Sequence, residues 1–167
     1  GYTFTGWTGD ASGTTNPFIL DMNGDKAVSA TFTLNVVNLT ITQATGGTIT
    51  ADPASPYHYG DDVTLTATPD PGYTFTGWTG DASGTTNPFV LDMNGDKAVS
   101  ATFTQNTYTL TVISDRGVVT KAPDQETYAY GTEVLLTMGT VDPGWTFTAW
   151  SGGGCTGTAP CTVTVNA

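Results

Sequence analysis

The sequence predicts an all-β chain assembled as a tandem array of small sheet modules. Three observations carry this reading. The chain repeats itself, its apolar residues alternate with Thr or Ser at period two, and Gly, Pro, Asn and Asp punctuate the alternating runs. Residues Gly1–Thr33 recur as Gly72–Thr104, an offset of 71, with the single difference that Ile19 becomes Val90. A diverged third copy follows. Gly144–Trp150 restates Gly72–Trp78, Tyr128–Gly131 restates Tyr57–Gly60, and Gly117–Thr120 restates Gly47–Thr50. The chain therefore divides into the C-terminal half of a repeat (1–33), a complete repeat (34–104), and a third, diverged repeat lacking its last strand (105–167). A period of 71 residues exceeds the roughly 20–50 of solenoid repeats. It is long enough for a small domain with a thin core of its own. Short junctions near Leu34–Asn38 and Gln105–Thr107 hold few Gly or Pro, which predicts stiff beads on a string. Beginning at Gly1, the chain reads as a processed product or a window from something longer.

Within the complete repeat each run has its own reason. Leu39-Thr40-Ile41-Thr42 alternates cleanly and stops before the Gly46-Gly47 turn. Asp52-Pro53 and Gly60-Asp61 mark further turns. Val63–Thr68 again places apolar residues on one face and Thr on the other, and Thr suits the wet face because its branched Cβ favours extended backbone. Pro69-Asp70-Pro71-Gly72 turns the chain into Tyr73–Thr76. Phe89, Leu91 and Met93 share one parity, and Val99, Ala101 and Phe103 share another across Asn94-Gly95. These last two runs are read as a hairpin, and burying both apolar sets demands an even index sum. That predicts an odd-length loop with Gly95 as a bulge residue at positive φ. No stretch has helical apolar spacing, so five or six short strands per repeat are expected, nearly all antiparallel.

Charge narrows the function classes. Four Lys and Arg stand against 15 Asp and Glu, a net charge of -11. Nucleic-acid binding needs clustered cations to release counterions, and anionic membranes are disfavoured for the same reason. No apolar run approaches the length of a membrane span.

The run Gly72–Asp81 (GYTFTGWTGD), then Asn87-Pro88, then Met93–Phe103 (MNGDKAVSATF) resembles the divergent internalin B-repeat domain. That family occurs in long bacterial surface and secreted proteins. Gly47–Pro53, Tyr59-Gly60 and Thr64–Pro69 match the same pattern, and the resemblance extends through all three copies. It implies small modules related to the β-grasp-like B-repeat, a stalk or adhesive role, and no catalytic residues to transfer. The last copy departs by carrying Cys155 and Cys161, in a form (CTGTAPCTVTV) that is common in the family.

Each residue set with chemical capacity has a structural reading beside it. Cys155 and Cys161 suit metal ligation, redox chemistry or a disulfide. Zinc would need four ligands, and the lone His58 sits in another repeat, so a structural disulfide in an oxidising compartment is expected. Asp92, Asn94 and Asp96 place oxygens like the start of a calcium loop. Lys97 and Phe103 occupy the positions where such a loop needs Gly and a bidentate acid, so a polar turn is the expectation. Tyr57, Tyr59, Tyr128 and Tyr130 are candidates for sugar stacking. Trp7, Trp78 and Trp150, with Phe75, Phe103 and Phe147, are expected to form the structural core. Lys26 and Lys97 are candidates for an intramolecular amide cross-link, against which an ordinary ion pair with a neighbouring Asp is expected. His58 lacks a triad context, and Asn38-Leu39-Thr40 fits a glycosylation sequon. No cofactor is called for.

These observations predict a non-enzymatic extracellular or cell-surface array, a stalk or fibre building block. If the ends are native, the edges left unpaired by the partial repeats point to strand complementation between chains in a fibre; if the chain is a window from a longer protein, the same strands belong to adjacent repeats. Expected partners are further copies or neighbouring repeats, with surface glycans or host matrix proteins as ligands of an adhesive form. The alternative class is a carbohydrate-binding accessory module of a secreted protein.

Overall fold

The structure is a computed structural model that describes residues 1–166. It contains no helix among them, and the strands follow the repeats. The first, partial copy forms β1 (Tyr2–Gly9) and β2 (Val28–Leu34), paired antiparallel. The middle repeat contains β3 (Val36–Val37), β4 (Leu39–Thr42), β5 (Gly47–Asp52), β6 (Tyr57–His58), β7 (Asp62–Pro69), β8 (Tyr73–Gly80), β9 (Phe89–Asp92) and β10 (Lys97–Gln105). The third copy contains β11 (Thr107–Tyr108), β12 (Gly117–Ala122), β13 (Tyr128–Ala129), β14 (Thr132–Val141) and β15 (Cys161–Val165). Residues 1–44, 48–68 and 77–102 make one compact unit, and residues 45–47, 69–76 and 103–167 a second.

The middle repeat is built on two three-stranded sheets, ordered β5-β7-β9 and β4-β10-β8, with β3 and β6 as a short separate ladder. In β7 the predicted alternation is realised: Val63, Leu65 and Ala67 are buried while Thr64 and Thr66 are only partly covered. Ile49 of β5 and Leu91 of β9 join them from the same sheet. Trp78 of β8 and Val99 and Ala101 of β10 are the buried residues of the other sheet, and Met93 is fully enclosed. Burying a Val, Leu or Met side chain contributes about 1.5–3 kcal/mol, so this small set is the main stabilising term of the repeat.

Two local side chains act as backbone substitutes. The Asn87 amide accepts from Ala67 N at 2.9 Å and donates to Ala67 O at 2.7 Å, continuing the ladder of β7 where no strand residue lies. Gln43 does the same for Ile49, at 2.9 and 3.0 Å.

Two expectations are corrected. The complete repeat has eight strands instead of five or six; the printed pairings are nearly all antiparallel, as expected, the exception being β10 alongside β4 with Lys97 opposite Leu39 and Val99 opposite Ile41. The hairpin joining residues 89–93 to 99–103 does not form either. β9 pairs with β7, Leu91 opposite Val63, and β10 lies between β4 and β8. The chain changes sheets at Asn94–Asp96. Met93 is still bonded to Gly60 and Asp61, whereas Lys97 N already donates to Asn38 O. Both runs have the period-two pattern a hairpin needs, but each finds its buried face in a different sheet. Gly95 has the expected positive φ, +157°, but at this change of sheet and not in a hairpin bulge.

Strand formation follows the partner and not the local sequence. Phe89–Asp92 is a strand on β7, whereas the matching Phe18–Asp21 of the first copy is not. In the third copy β12, β14 and β15 reproduce the β5-β7-β9 sheet, with Val134 opposite Val163. Its core holds Tyr128, Val134, Leu136, Cys155 and Val165. The counterparts of β4 and β8, residues 110–113 and 145–150, are not strands. The strand that would pair with both, the equivalent of β10, is absent from the described residues.

Candidate functional site: the repeat junctions and the open third repeat

The same joint is built twice, once at each passage from one repeat to the next. At the first, Asn35 N donates to Gly1 O at 2.8 Å, and Tyr59 N donates to Asn35 O at 2.9 Å. Thr3 Oγ1 donates to Asn35 Oδ1 at 2.6 Å. At the second, Asn106 N donates to Gly72 O at 2.7 Å, Tyr130 N to Asn106 O at 3.1 Å, and Thr74 Oγ1 to Asn106 Oδ1 at 2.7 Å. Each Asn thus binds the entry of one repeat's aromatic strand and the tyrosine of the next repeat. Directly after the Asn, β3 pairs with β6 (Val37 opposite Tyr57) and β11 pairs with β13 (Tyr108 opposite Tyr128).

Glycine is required on the facing side. A Cβ on Gly1 would meet the Tyr59 ring, and one on Gly72 would meet the Tyr130 ring and its Cβ. Gly72 also sits at the third position of the Asp70-Pro71-Gly72-Tyr73 turn, with φ +79° and Tyr73 N donating to Asp70 O at 3.0 Å. Proline second and a positive-φ Gly third define a type II turn. The sequence placed the junction near Leu34–Asn38 and Gln105–Thr107, but gave no signal that Asn35, Asn106, Gly1 and Gly72 form it. The pairing of each Gly with a Tyr 58 positions onward is visible only in the folded chain.

The tyrosines divide in two. Tyr57 and Tyr128 are buried, their hydroxyls donating to Pro53 O at 3.0 Å and Pro123 O at 3.2 Å. Tyr59 is 43% exposed and Tyr130 half-buried, each against its junction glycine. Of the four candidate sugar contacts, only Tyr59 and Tyr130 have ring surface open to solvent.

The other candidates are placed as follows. Cys155 and Cys161 form a disulfide, with Cys155 in the core of the third repeat. Asp96 Oδ1 accepts from Asn38 N at 2.8 Å, and Asn94 donates to Asp92 at 3.1 Å. No three His, Cys, Asp or Glu side chains among the described residues are arranged to hold a metal ion. Lys26 pairs with Asp10 at 3.6 Å, not with the adjacent Asp25. His58 lies 3.8 Å from Asp61, whose carboxylate accepts from the His58 backbone N at 2.7 Å. Lys121 contacts Asp124 at 3.0 Å, and the hydrogen bond to that carboxylate raises its pKa above the ordinary lysine value.

The three aligned tryptophans share one contact. Trp7, Trp78 and Trp150 each donate the indole N–H to a loop carbonyl, Thr15, Thr86 and Ala159, at 2.9, 2.8 and 2.8 Å. Only Trp78, in the complete repeat, is buried, at 4% exposure. Trp7 and Trp150 are half-buried, as are Phe75, Phe103 and Phe147. Phe75 and Phe103 meet edge to face at 5.9 Å, and Phe147 meets Trp150 at 4.9 Å.

No curated protein and no solved structure matches the chain significantly. One family model does, described as a divergent InlB B-repeat domain, over residues 1–36, 37–107 and 108–167. With an all-β repeat, a doubled junction and three successive matches, the chain belongs to the divergent InlB B-repeat domain family.

Proposed function

We propose that the chain is a non-enzymatic structural segment of an extracellular or cell-surface protein, a stalk or surface-fibre building block in which length and regular coupling are the useful properties. The observation that carries this reading is the doubled junction. Two successive passages use the same Asn, Gly, Thr and Tyr with matching hydrogen bonds, so the same local joint recurs where one repeat leads into the next. A disulfide in the third repeat agrees with an oxidising, exported setting. Near-identity of the copies suits a part whose contacts gain from multiplicity. Adhesion to glycans or matrix proteins, and assembly by strand complementation between chains, belong to the same proposal.

The test is a series of chains carrying increasing numbers of the 34–104 repeat, measured by small-angle scattering. A constant increment in maximum dimension per repeat supports the reading. Increments that vanish as repeats are added, with the compaction of flexible tethers, refute it.

A further inference from the structure

We infer that Asn94 is a site of spontaneous covalent modification: its side-chain amide is lost through attack by the Gly95 backbone nitrogen, and the product loosens the crossover between the two sheets of the middle repeat. The inference goes beyond the structural-array reading and is independent of it.

The chemistry is that of an asparagine followed by glycine, whose nitrogen no side chain shields. The deprotonated Gly95 nitrogen adds to Asn94 Cγ, so a Gly95 N–Cγ bond forms and the Cγ–Nδ2 bond breaks. Nδ2 leaves as ammonia, taking up the equivalent of the proton lost from Gly95, and a five-membered succinimide remains. Water then opens the ring at either carbonyl. Opening at Cγ gives aspartate. Opening at the Asn94 main-chain carbon gives isoaspartate, with the chain rerouted through the side chain.

The fold supplies what the attack needs. Asn94 is exposed and outside any strand, and no heavy atom lies within 4 Å of where a Cβ on Gly95 would stand. Among the described residues no hydrogen bond occupies the Gly95 N–H. The Asn94 amide nitrogen donates to Asp92 Oδ2 at 3.1 Å. That carboxylate sits on the nitrogen that must leave, where it stabilises the positive charge developing as ammonia departs. The asparagines at 16, 35, 38, 87 and 106 each lack a requirement. Asn16 and Asn87 precede proline, which has no N–H, and the Asn87 amide is held on Ala67. Asn35, Asn38 and Asn106 precede Val36, Leu39 and Thr107, each a side chain that crowds the nitrogen and each the first residue of a strand. Asn23-Gly24 repeats the reactive pair within the same hexapeptide, DMNGDK.

The location gives the modification its effect. Met93 N donates to Asp61 O at 2.8 Å, and Met93 O accepts from Gly60 N at 3.0 Å. On the other side of the crossover Asp96 Oδ1 accepts from Asn38 N, and Lys97 N donates to Asn38 O, both at 2.8 Å. The short link is thus clamped at both ends. Isoaspartate lengthens the main chain between the clamps by one carbon. Either product sets a carboxylate where an amide now donates to Asp92, so an attraction becomes a repulsion. Both changes act against the clamps, and conversion therefore weakens the seating of β10 between β4 and β8.

The experiment incubates the chain at mildly alkaline pH and reads each asparagine separately by peptide mapping, with fragmentation that separates isoaspartate from aspartate. The free peptide LDMNGDKA, residues 91–98, is incubated alongside, as are the chains carrying Asp92→Asn and Asn94→Gln. In the folded chain Asn94 should convert roughly tenfold or more faster than Asn35, Asn38, Asn87 and Asn106. The rate should rise with hydroxide, fall in D92N, and vanish in N94Q, whose longer side chain cannot close the five-membered ring. Amide hydrogen exchange along residues 98–102 should be faster in the aged chain than in the fresh one, and unchanged by the same incubation of N94Q. An Asn94 that keeps its amide in the folded chain while the peptide converts overturns the inference, because the fold then shields the site. Conversion that leaves exchange along β10 unchanged overturns the loosening, and equal rates in D92N and the parent overturn the part given to Asp92. None of these failures affects the scattering increments per repeat, so the structural-array reading stands or falls separately.

Discussion

Gly72→Ala isolates the energetics of a repeat junction, because the molecule provides its own control. Gly72 and Gly144 occupy the same position of the same turn, Asp-Pro-Gly followed by an aromatic, with φ of +79° and +84°. An added Cβ at Gly144 meets nothing within 4 Å, whereas at Gly72 it meets the Tyr130 ring. The left-handed backbone costs an L-residue roughly 1–2 kcal/mol at either site. At Gly72 the ring must also leave. Full burial of a large apolar side chain is worth about 1.5–3 kcal/mol, and Tyr130 is half-buried, so its displacement adds about 1 kcal/mol. We therefore expect G144A to cost roughly 1–2 kcal/mol and G72A roughly 2–3. For a chain of this size the difference is a melting temperature about 2–4 °C lower for G72A than for G144A. Thermal unfolding of both variants, completed by Tyr130→Ala and the G72A/Y130A double variant, gives the coupling. The double variant should cost about 1 kcal/mol less than the sum of the singles, since the clash has no ring to meet. Equal melting of G72A and G144A, or simple additivity in the cycle, refutes the joint as described.

Four further outcomes follow from the same geometry. Asn87→Ala strips both backbone partners from Ala67 and should destabilise by about 2–3 kcal/mol in urea unfolding; Asn16→Ala, at the matching position of the partial copy, should change stability by under about 0.5 kcal/mol, and equal effects would contradict the strand-mimic role. Trp78→Phe should cost more than Trp7→Phe, about 2–3 against about 1 kcal/mol, because only Trp78 is enclosed when it loses its bond to Thr86 O. Reducing Cys155–Cys161 should destabilise the third repeat by about 2 kcal/mol, read as a lowered melting midpoint in dithiothreitol, and an unchanged midpoint after verified reduction sinks this. The Lys121 pKa is raised in the folded chain by Asp124, so the pair's contribution is fully present below the ordinary lysine pKa of 10.5 and is lost as pH rises through the higher folded value. Above pH 10.5 the parent should therefore lose stability more steeply than Asp124→Asn; parallel profiles would contradict the pairing.

Much of the fold is legible in the sequence because its signals are local. The alternation at Val63–Thr68 and the Pro71-Gly72 turn are decided by neighbours in the chain, and both appear as read. What is not legible is which strand a run pairs with. Residues 89–93 and 99–103 satisfy every local requirement of a hairpin, yet each buries its apolar face in a different sheet. The parallel β4–β10 pair joins residues 58 apart, and no spacing rule reaches that far. The junction was hidden for a related reason. Asn35 and Asn106 are unremarkable polar residues in sequence, and their role arises because a glycine upstream and a tyrosine downstream converge on them. The tyrosines show the reverse: the motif pairs Tyr57 with Tyr59, but the two side chains have different environments, one sealed on a proline carbonyl and the other laid on Gly1.

The most direct test of the account uses two segments that are chemically the same. Residues 28–33 and 99–104 both read VSATFT, but β2 has a strand on one edge and β10 on both. Residue-resolved amide hydrogen exchange in dilute solution should show protection along the whole of 99–104. In 28–33 alternate amides, those facing away from β1, should exchange freely. Equal protection of the two segments would contradict the claim that the intact repeat is closed by strands on both edges of β10.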